Sequence, residues 1–449
     1  MTGDFIHLPG FALIVELLLA NFLSRLRLQP IYIIRNHLNA VWFVWSQNYS
    51  IFITFSISMA NDTLPPLPLP SGVSDNQVDC ISTCSLSFHI LEAGYDNARS
   101  NPLILLIHGF PELAFSWRKV MPKLASAGYY VVAVDQRGYG RTTGWDTSSF
   151  NNTDLRQFTM TQLVRDMLAL INALGYTAVK CVVGHDFGAV SAAMCALTRP
   201  DVFQSCVMMS HPFQGSPTLP FNTAQQPQHN PRSLQPDVHA DLANLPEPRK
   251  HYKWYNSTPS AATDWARPTQ GLHAFLRGYI HLKSAAWAPN NPYPLTSFTA
   301  TELSKLPYYY IMPLHLSMPA TVAACLSHAT RADLAATTSW LPDTDLAIYV
   351  QEWQRTGFQG GLNWYRSTTD PENMKDVQLF AGKQIEVPTV FISGEKDWGN
   401  YQEPGAIEGY ERTCADFRGR RFIEGAGHWP QQEKPERVVE EILGFLEDL

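Results

Sequence analysis

Asp186 stands at the centre of Gly184-His185-Asp186-Phe187-Gly188, directly after an apolar run over 180–183 and before a helical stretch over 187–197. Small residues two places to either side of a nucleophile mark a tight strand-to-helix turn, because that turn leaves no room for side chains on its flanks. A carboxylate thrust out there can attack an electrophilic carbon and form an ester. The ester must then be hydrolysed. His428, in Gly425-Ala426-Gly427-His428-Trp429-Pro430, follows the last apolar run and suits the general base. Its imidazole needs an acid to fix one tautomer, and Gly394-Glu395-Lys396-Asp397-Trp398 follows the preceding run. Asp397 is the expected partner and Glu395 its rival. The oxyanion formed when water attacks needs backbone donors, expected from the amides of Phe187 and of Phe110 in His108-Gly109-Phe110-Pro111. Pro111 helps to set that turn. His108 is expected to hold the loop by hydrogen bonds, and His185 to face away from the cleft.

These residues need a frame. Short apolar runs over 86–91, 103–107, 130–134, 180–183 and 204–209 alternate with helical stretches, which is the signature of a mostly parallel sheet wrapped by helices. In such sheets function gathers at the carboxyl ends of the strands, where the middle three runs end in polar, glycine-containing turns. Strands over 387–393 and 420–424 and an amphipathic helix over 434–446 resume the pattern near the end. Between them it lapses into a segment rich in Pro, Trp and Tyr, with helical stretches over 270–282, 320–326 and 345–355. The expected organisation is one discontinuous α/β core, over 75–215 and 374–449, with a helical cap over 216–373.

Composition excludes several classes. Of 449 residues, 45% are hydrophobic and 16% charged, too apolar for a disordered chain. The formal charge is -7 with no long basic run, so the electrostatic drive for nucleic-acid binding is missing. Seven scattered cysteines, an odd number, favour packed thiols in a cytoplasmic protein over a disulfide framework. The opening residues differ from the rest. Residues 11–23 are apolar except for Glu16 and Asn21, and 38–61 carry no charged side chain. Residues 5–60 could therefore contact a membrane, which makes a membrane-associated protein the alternative. Glu16, with Arg25 and Arg27 after it, fits a cleaved signal poorly. The blander alternative for 1–60 is an extension without a fold, with Met59 as another start.

From about residue 78 onward the chain resembles an epoxide hydrolase of the α/β-hydrolase fold, of the soluble type. The likeness rests on His108-Gly109-Phe110-Pro111-Glu112, Trp117, Asp135-Gln136-Arg137-Gly138-Tyr139-Gly140, the turn around Asp186, Asp397, and Gly427-His428-Trp429. It implies an inserted helical cap, a small apolar epoxide as substrate, and neither metal nor organic cofactor. Haloalkane-type dehalogenases share the aspartate turn and form the alternative. They usually place Trp after the nucleophile to donate to the halide, whereas Phe187 has no such donor. Epoxide hydrolases instead use two cap tyrosines to hydrogen-bond and protonate the alkoxide. Tyr365, in Gly361-Leu362-Asn363-Trp364-Tyr365-Arg366, matches one of them. The other lies in His251-Tyr252-Lys253-Trp254-Tyr255, where Tyr252 is favoured over Tyr255. The resemblance further implies a pocket lined by His108, Pro111, Trp117, Tyr255, Trp364 and Trp429. It leaves the oligomeric state open.

Overall fold

The computed structural model describes residues 64–217 and 237–449 throughout, and before them the backbone of β1 (Gln29–Asn36), β2 (Asn39–Ser46) and β3 (Tyr49–Phe55). The chain divides into two units, Met1–Pro66 and Leu67–Leu449. In the first, β1, β2 and β3 form an antiparallel sheet in that order. The apolar stretch over 11–23, and with it much of the membrane-contacting segment expected over 5–60, lies outside the described residues. Among the described residues no helix is long and apolar enough to cross a membrane.

The second unit is built on an eight-stranded sheet. Its strands are β4 (Val73–Cys80), β5 (Leu86–Ala93), β6 (Leu103–Ile107), β7 (Tyr130–Val134), β8 (Cys181–His185), β9 (Cys206–Met209), β12 (Thr389–Gly394) and β13 (Phe417–Ile423). The spatial order is β13-β12-β9-β8-β6-β7-β5-β4, parallel from β13 to β7 and antiparallel across β5 and β4. Its central strands are continuous apolar runs because both faces are covered. Leu103, Leu105 and Ile107 enter one core, while Ile104 and Leu106 enter the other.

The first core continues into the helical segment between β9 and β12 and contains Tyr252, Trp364 and Tyr365. The second is closed by Trp117, Met121 and the final helix, Pro435–Glu447, through Val438 and Ile442. The segment between β9 and β12 also carries a small antiparallel pair, β10 (Arg249–His251) with β11 (Ile311–Pro313). Its helices include α1 (Tyr252–Asn256), α2 (Leu272–Lys283), α3 (Asp343–Thr356) and α4 (Gln359–Thr369). All seven cysteines are free thiols, six of them buried.

Candidate active site

The backbone at Asp186 explains the glycines around it. Asp186 joins β8 to the helix Phe187–Thr198 with φ +53°, a left-handed value that side chains other than glycine rarely adopt. A Cβ on Gly184 would lie 2.0 Å from the carbonyl oxygen of Gly188, and one on Gly188 would lie 2.4 Å from the carbonyl oxygens of Ile107 and His108. Only hydrogen fits at either place. The turn holds the Asp186 side chain in the interior, 3% exposed, where its Oδ1 accepts the amide N–H of Phe110 at 3.1 Å. The Phe187 amide opens the helix on the other side.

His428 brings the two carboxylates together. Its Nε2 lies 3.3 Å from Oδ2 of Asp186, and its Nδ1 lies 3.1 and 3.0 Å from the two oxygens of Asp397. With Nδ1–H donating to Asp397, Nε2 is left to exchange protons in front of Asp186. Asp397 is steadied by the Gly399 amide at 2.6 Å and by the Ser393 hydroxyl. Glu395 is exposed and takes no part. Burial opposes ionisation of Asp186, but the hydrogen bond from His428 and the charge of Lys283 outweigh it and hold the carboxyl well below the usual carboxylate range. Burial likewise disfavours the imidazolium of His428, yet Asp397 prevails and raises it above its ordinary value.

A cavity of about 530 Å³ opens in front of Asp186, lined among others by Phe187, Val190, Tyr252, Phe298, Tyr365 and Met374. Tyr252 and Tyr365 face each other there with ring centroids 5.9 Å apart. The Tyr252 hydroxyl donates to Oε1 of Gln402 at 3.0 Å. Burial pushes both phenols well above their ordinary value, so they remain proton donors. The Tyr255 hydroxyl instead donates to Asp264 at 2.9 Å. The geometry thus brings Tyr252, not Tyr255, to the cavity.

Tyr365 is placed by a backbone-to-backbone contact between α4 and the loop after β7. A Cβ on Gly138 would lie 2.6 Å from the carbonyl of Gly360, and one on Gly360 would lie 2.4 Å from the oxygen of Gly138. The neighbouring Trp364 donates its indole N–H to the carbonyl of Arg137 at 2.9 Å.

The six residues expected to line the pocket do not line this cavity. Trp117 packs in the core on the opposite face of the sheet. Trp364 and Trp429 spend their indole N–H groups on the carbonyls of Arg137 and Ile280, and Tyr255 is turned to Asp264. Pro111 follows a cis peptide and its carbonyl accepts from Trp353. His108 holds the loop: Nδ1 meets the Gly109 carbonyl at 2.8 Å and Nε2 accepts the Gln136 amide at 3.2 Å. His185 faces away from the cavity, its Nε2 donating to the His428 carbonyl at 2.6 Å. Burial and cavity lining are different properties, and aromatic type alone separates them poorly.

Three residues at the site escape sequence reasoning. His211 lines the cavity two residues beyond the end of β9, so the strand-end rule that finds Asp186 also reaches it. Gln402 and Lys283 carry no motif. Lys283, at the last position of α2, places its Nζ 3.2 Å from Nε2 of His428.

A sequence model of the family described as alpha/beta hydrolase fold matches residues 102–277. Epoxide hydrolase A of Mycobacterium tuberculosis is 30% identical over 383 residues, which cover 82% of this chain and 97% of that protein. The chain belongs to the epoxide hydrolases. Among other members of that family, epoxide hydrolase B of the same organism is 29% identical over 358 residues, covering 78% of this chain and 92% of that one. The solved structure of an epoxide hydrolase from an endophytic Streptomyces superposes with a TM-score of 0.64 at 28% identity, covering 84% of this chain and 96% of that chain. Potato (Solanum tuberosum) epoxide hydrolase I superposes with a TM-score of 0.60 at 28% identity, covering 84% and 100%.

Proposed function

We propose that the protein hydrolyses an apolar epoxide to a vicinal diol through a covalent ester on Asp186. The observation that carries this reading is that Tyr252 and Tyr365 line the same cavity as Asp186. An ionised carboxylate thus faces two phenols that keep their protons, and an epoxide between them meets its nucleophile and its acids together. Phe187, Val190 and Phe298 supply apolar walls.

Oδ1 of Asp186 already accepts the Phe110 amide, so Oδ2 forms the new bond to the ring carbon and Oδ1 becomes the ester carbonyl. The C–O bond of the ring breaks, and its oxygen takes a proton from one of the tyrosines. Water then attacks the carboxyl carbon of Asp186 as Nε2 of His428 takes its proton, with Asp397 steadying the imidazolium. The oxyanion on Oδ1 is held by the amides of Phe110 and Phe187. Its collapse expels the diol oxygen, which takes the proton from His428. The acid proton left on Asp186 restores the tyrosinate. These steps call on no metal or organic cofactor.

A His428→Gln variant of the full chain, exposed to aryl and aliphatic epoxides and to chloroalkanes, tests this by intact mass. The expected result is an adduct equal to the whole epoxide, lost on Asp186→Ala. Adducts from chloroalkanes alone, each short by one hydrogen halide, would make the protein a dehalogenase.

A further inference from the structure

Lys283 is buried, 2% exposed, at the end of α2. Its Nζ lies 3.2 Å from Nε2 of His428 and sits over the rings of Tyr310 (4.8 Å), Tyr279 (5.2 Å) and Trp429 (5.7 Å). Its backbone carbonyl accepts the His428 amide at 2.9 Å, so charge and base are fixed to one another. We propose that Lys283 is a further working residue of the site, whose positive charge beside Nε2 keeps His428 unprotonated while the Asp186 ester awaits water. The proposal rests on the reading above that His428 is the base.

The argument is one of charge balance. Before reaction, the Asp186 carboxylate faces both His428 and Lys283 and offsets the cation. Alkylation turns Asp186 into a neutral ester. An imidazolium would then meet an ammonium with Asp397 as the remaining carboxylate at its ring. Like charges at this distance disfavour the imidazolium, so the ring is free to receive a proton from water. The other titratable groups in reach do not replace the lost charge. Glu112 faces Lys283 from the first turn but is engaged with His185 at 2.5 Å, and His185 stands 5.1 Å from His428, ring to ring. Tyr279 and Tyr310 keep their protons. Glu433 binds the Ala285, Gly427 and Trp429 amides behind the loop. Burial lowers Lys283 from its ordinary value while Asp186, Asp397 and Glu112 favour its charge, and Lys283 in turn opposes protonation of His428.

The test is the pH dependence of ester breakdown in a single turnover, followed by quenching and intact mass. In Lys283→Met the acid limb should move to higher pH by about one unit, a tenfold loss of rate on that limb, and Lys283→Arg should bring it back. An equal loss of rate at every pH would reduce Lys283 to packing and overturn the proposal. Should Lys283→Met not fold, Lys283→Gln carries the same comparison. A second measurement needs no epoxide: in full-length Asp186→Asn, neutral at the nucleophile as the ester is, imidazole nitrogen NMR should give a higher titration midpoint for His428 when Lys283 is also replaced. An unchanged midpoint overturns the proposal whatever the substrate is, whereas a chain that esterifies with no epoxide overturns the proposed function and leaves this titration readable.

Discussion

Asp397 meets His428 with both of its oxygens, 3.1 and 3.0 Å from Nδ1, although Glu395 stands two residues nearer the end of β12. The loop turns the first carboxylate outward and the second inward, where Gly399 and Ser393 hold it.

Asp397→Asn should therefore slow ester breakdown by about 10⁴-fold, because an amide there can hold the ring in the wrong tautomer. Ester formation should persist, so the variant accumulates adduct in rapid-quench mass spectrometry. Glu395→Gln should match the parent chain in both steps.

Tyr252→Phe and Tyr365→Phe should each lower the rate of ester formation by about 10²-fold or more, since each removes a donor to the opening ring. Ester breakdown should change far less. Stopped-flow fluorescence of the buried tryptophans can separate the steps, and tolerance of Phe at both positions would speak for halide displacement.

Gly360→Ala should displace α4, because the added carbon would lie 2.4 Å from the carbonyl oxygen of Gly138. A shift of about 1 Å in Tyr365 is enough to cost roughly 10²-fold in turnover. Steady-state kinetics should show kcat falling while the Asp186 adduct can still be trapped in the His428→Gln background.

Glu433 gives a stability signature. Burial pushes its carboxyl up to about 7, even though three backbone amides favour its ionised form. In the unfolded chain the carboxyl loses its proton near the ordinary value, about 4.5. As pH rises from there, the unfolded state is deprotonated first, so this group's contribution to stability falls until about pH 7 and then stays constant. Urea unfolding of Glu433→Gln and of the parent chain from pH 5 to 8 should show the variant lacking that decline.

How much of this could be read from the sequence depended on burial. Strands β6 and β7 fall on the residues expected for them, because an apolar run covered on both faces has little room for another interpretation. Strand β4 was invisible: Val-Ser-Asp-Asn-Gln-Val-Asp-Cys lies on the sheet edge with most of its side chains in solvent, and shows no alternation. Strand β13 begins at Phe417, not 420, since an arginine-rich edge carries no apolar signal. Helix α4 carries no clear helical signal around Tyr365, because Gly360 and Gly361 lower its propensity while serving a close approach. At the site, Asp186, Asp397 and His428 were legible because each sits in a turn with its own glycines. Lys283 reaches the site from a helix end 145 residues away in sequence, and nothing local announces it.

The left-handed backbone at Asp186 also bears on how such a chain changes under selection. A side chain held there costs about 1 kcal/mol or more whether or not substrate is bound, and glycine alone is at ease in that conformation. Asp186→Gly would remove the strain, but it would also leave the buried Lys283 without the carboxylate that offsets its charge and the Phe110 amide without its acceptor. Backbone strain and charge balance thus pull in opposite directions at this residue, and the carboxylate is held in its strained turn by the buried groups that need its charge.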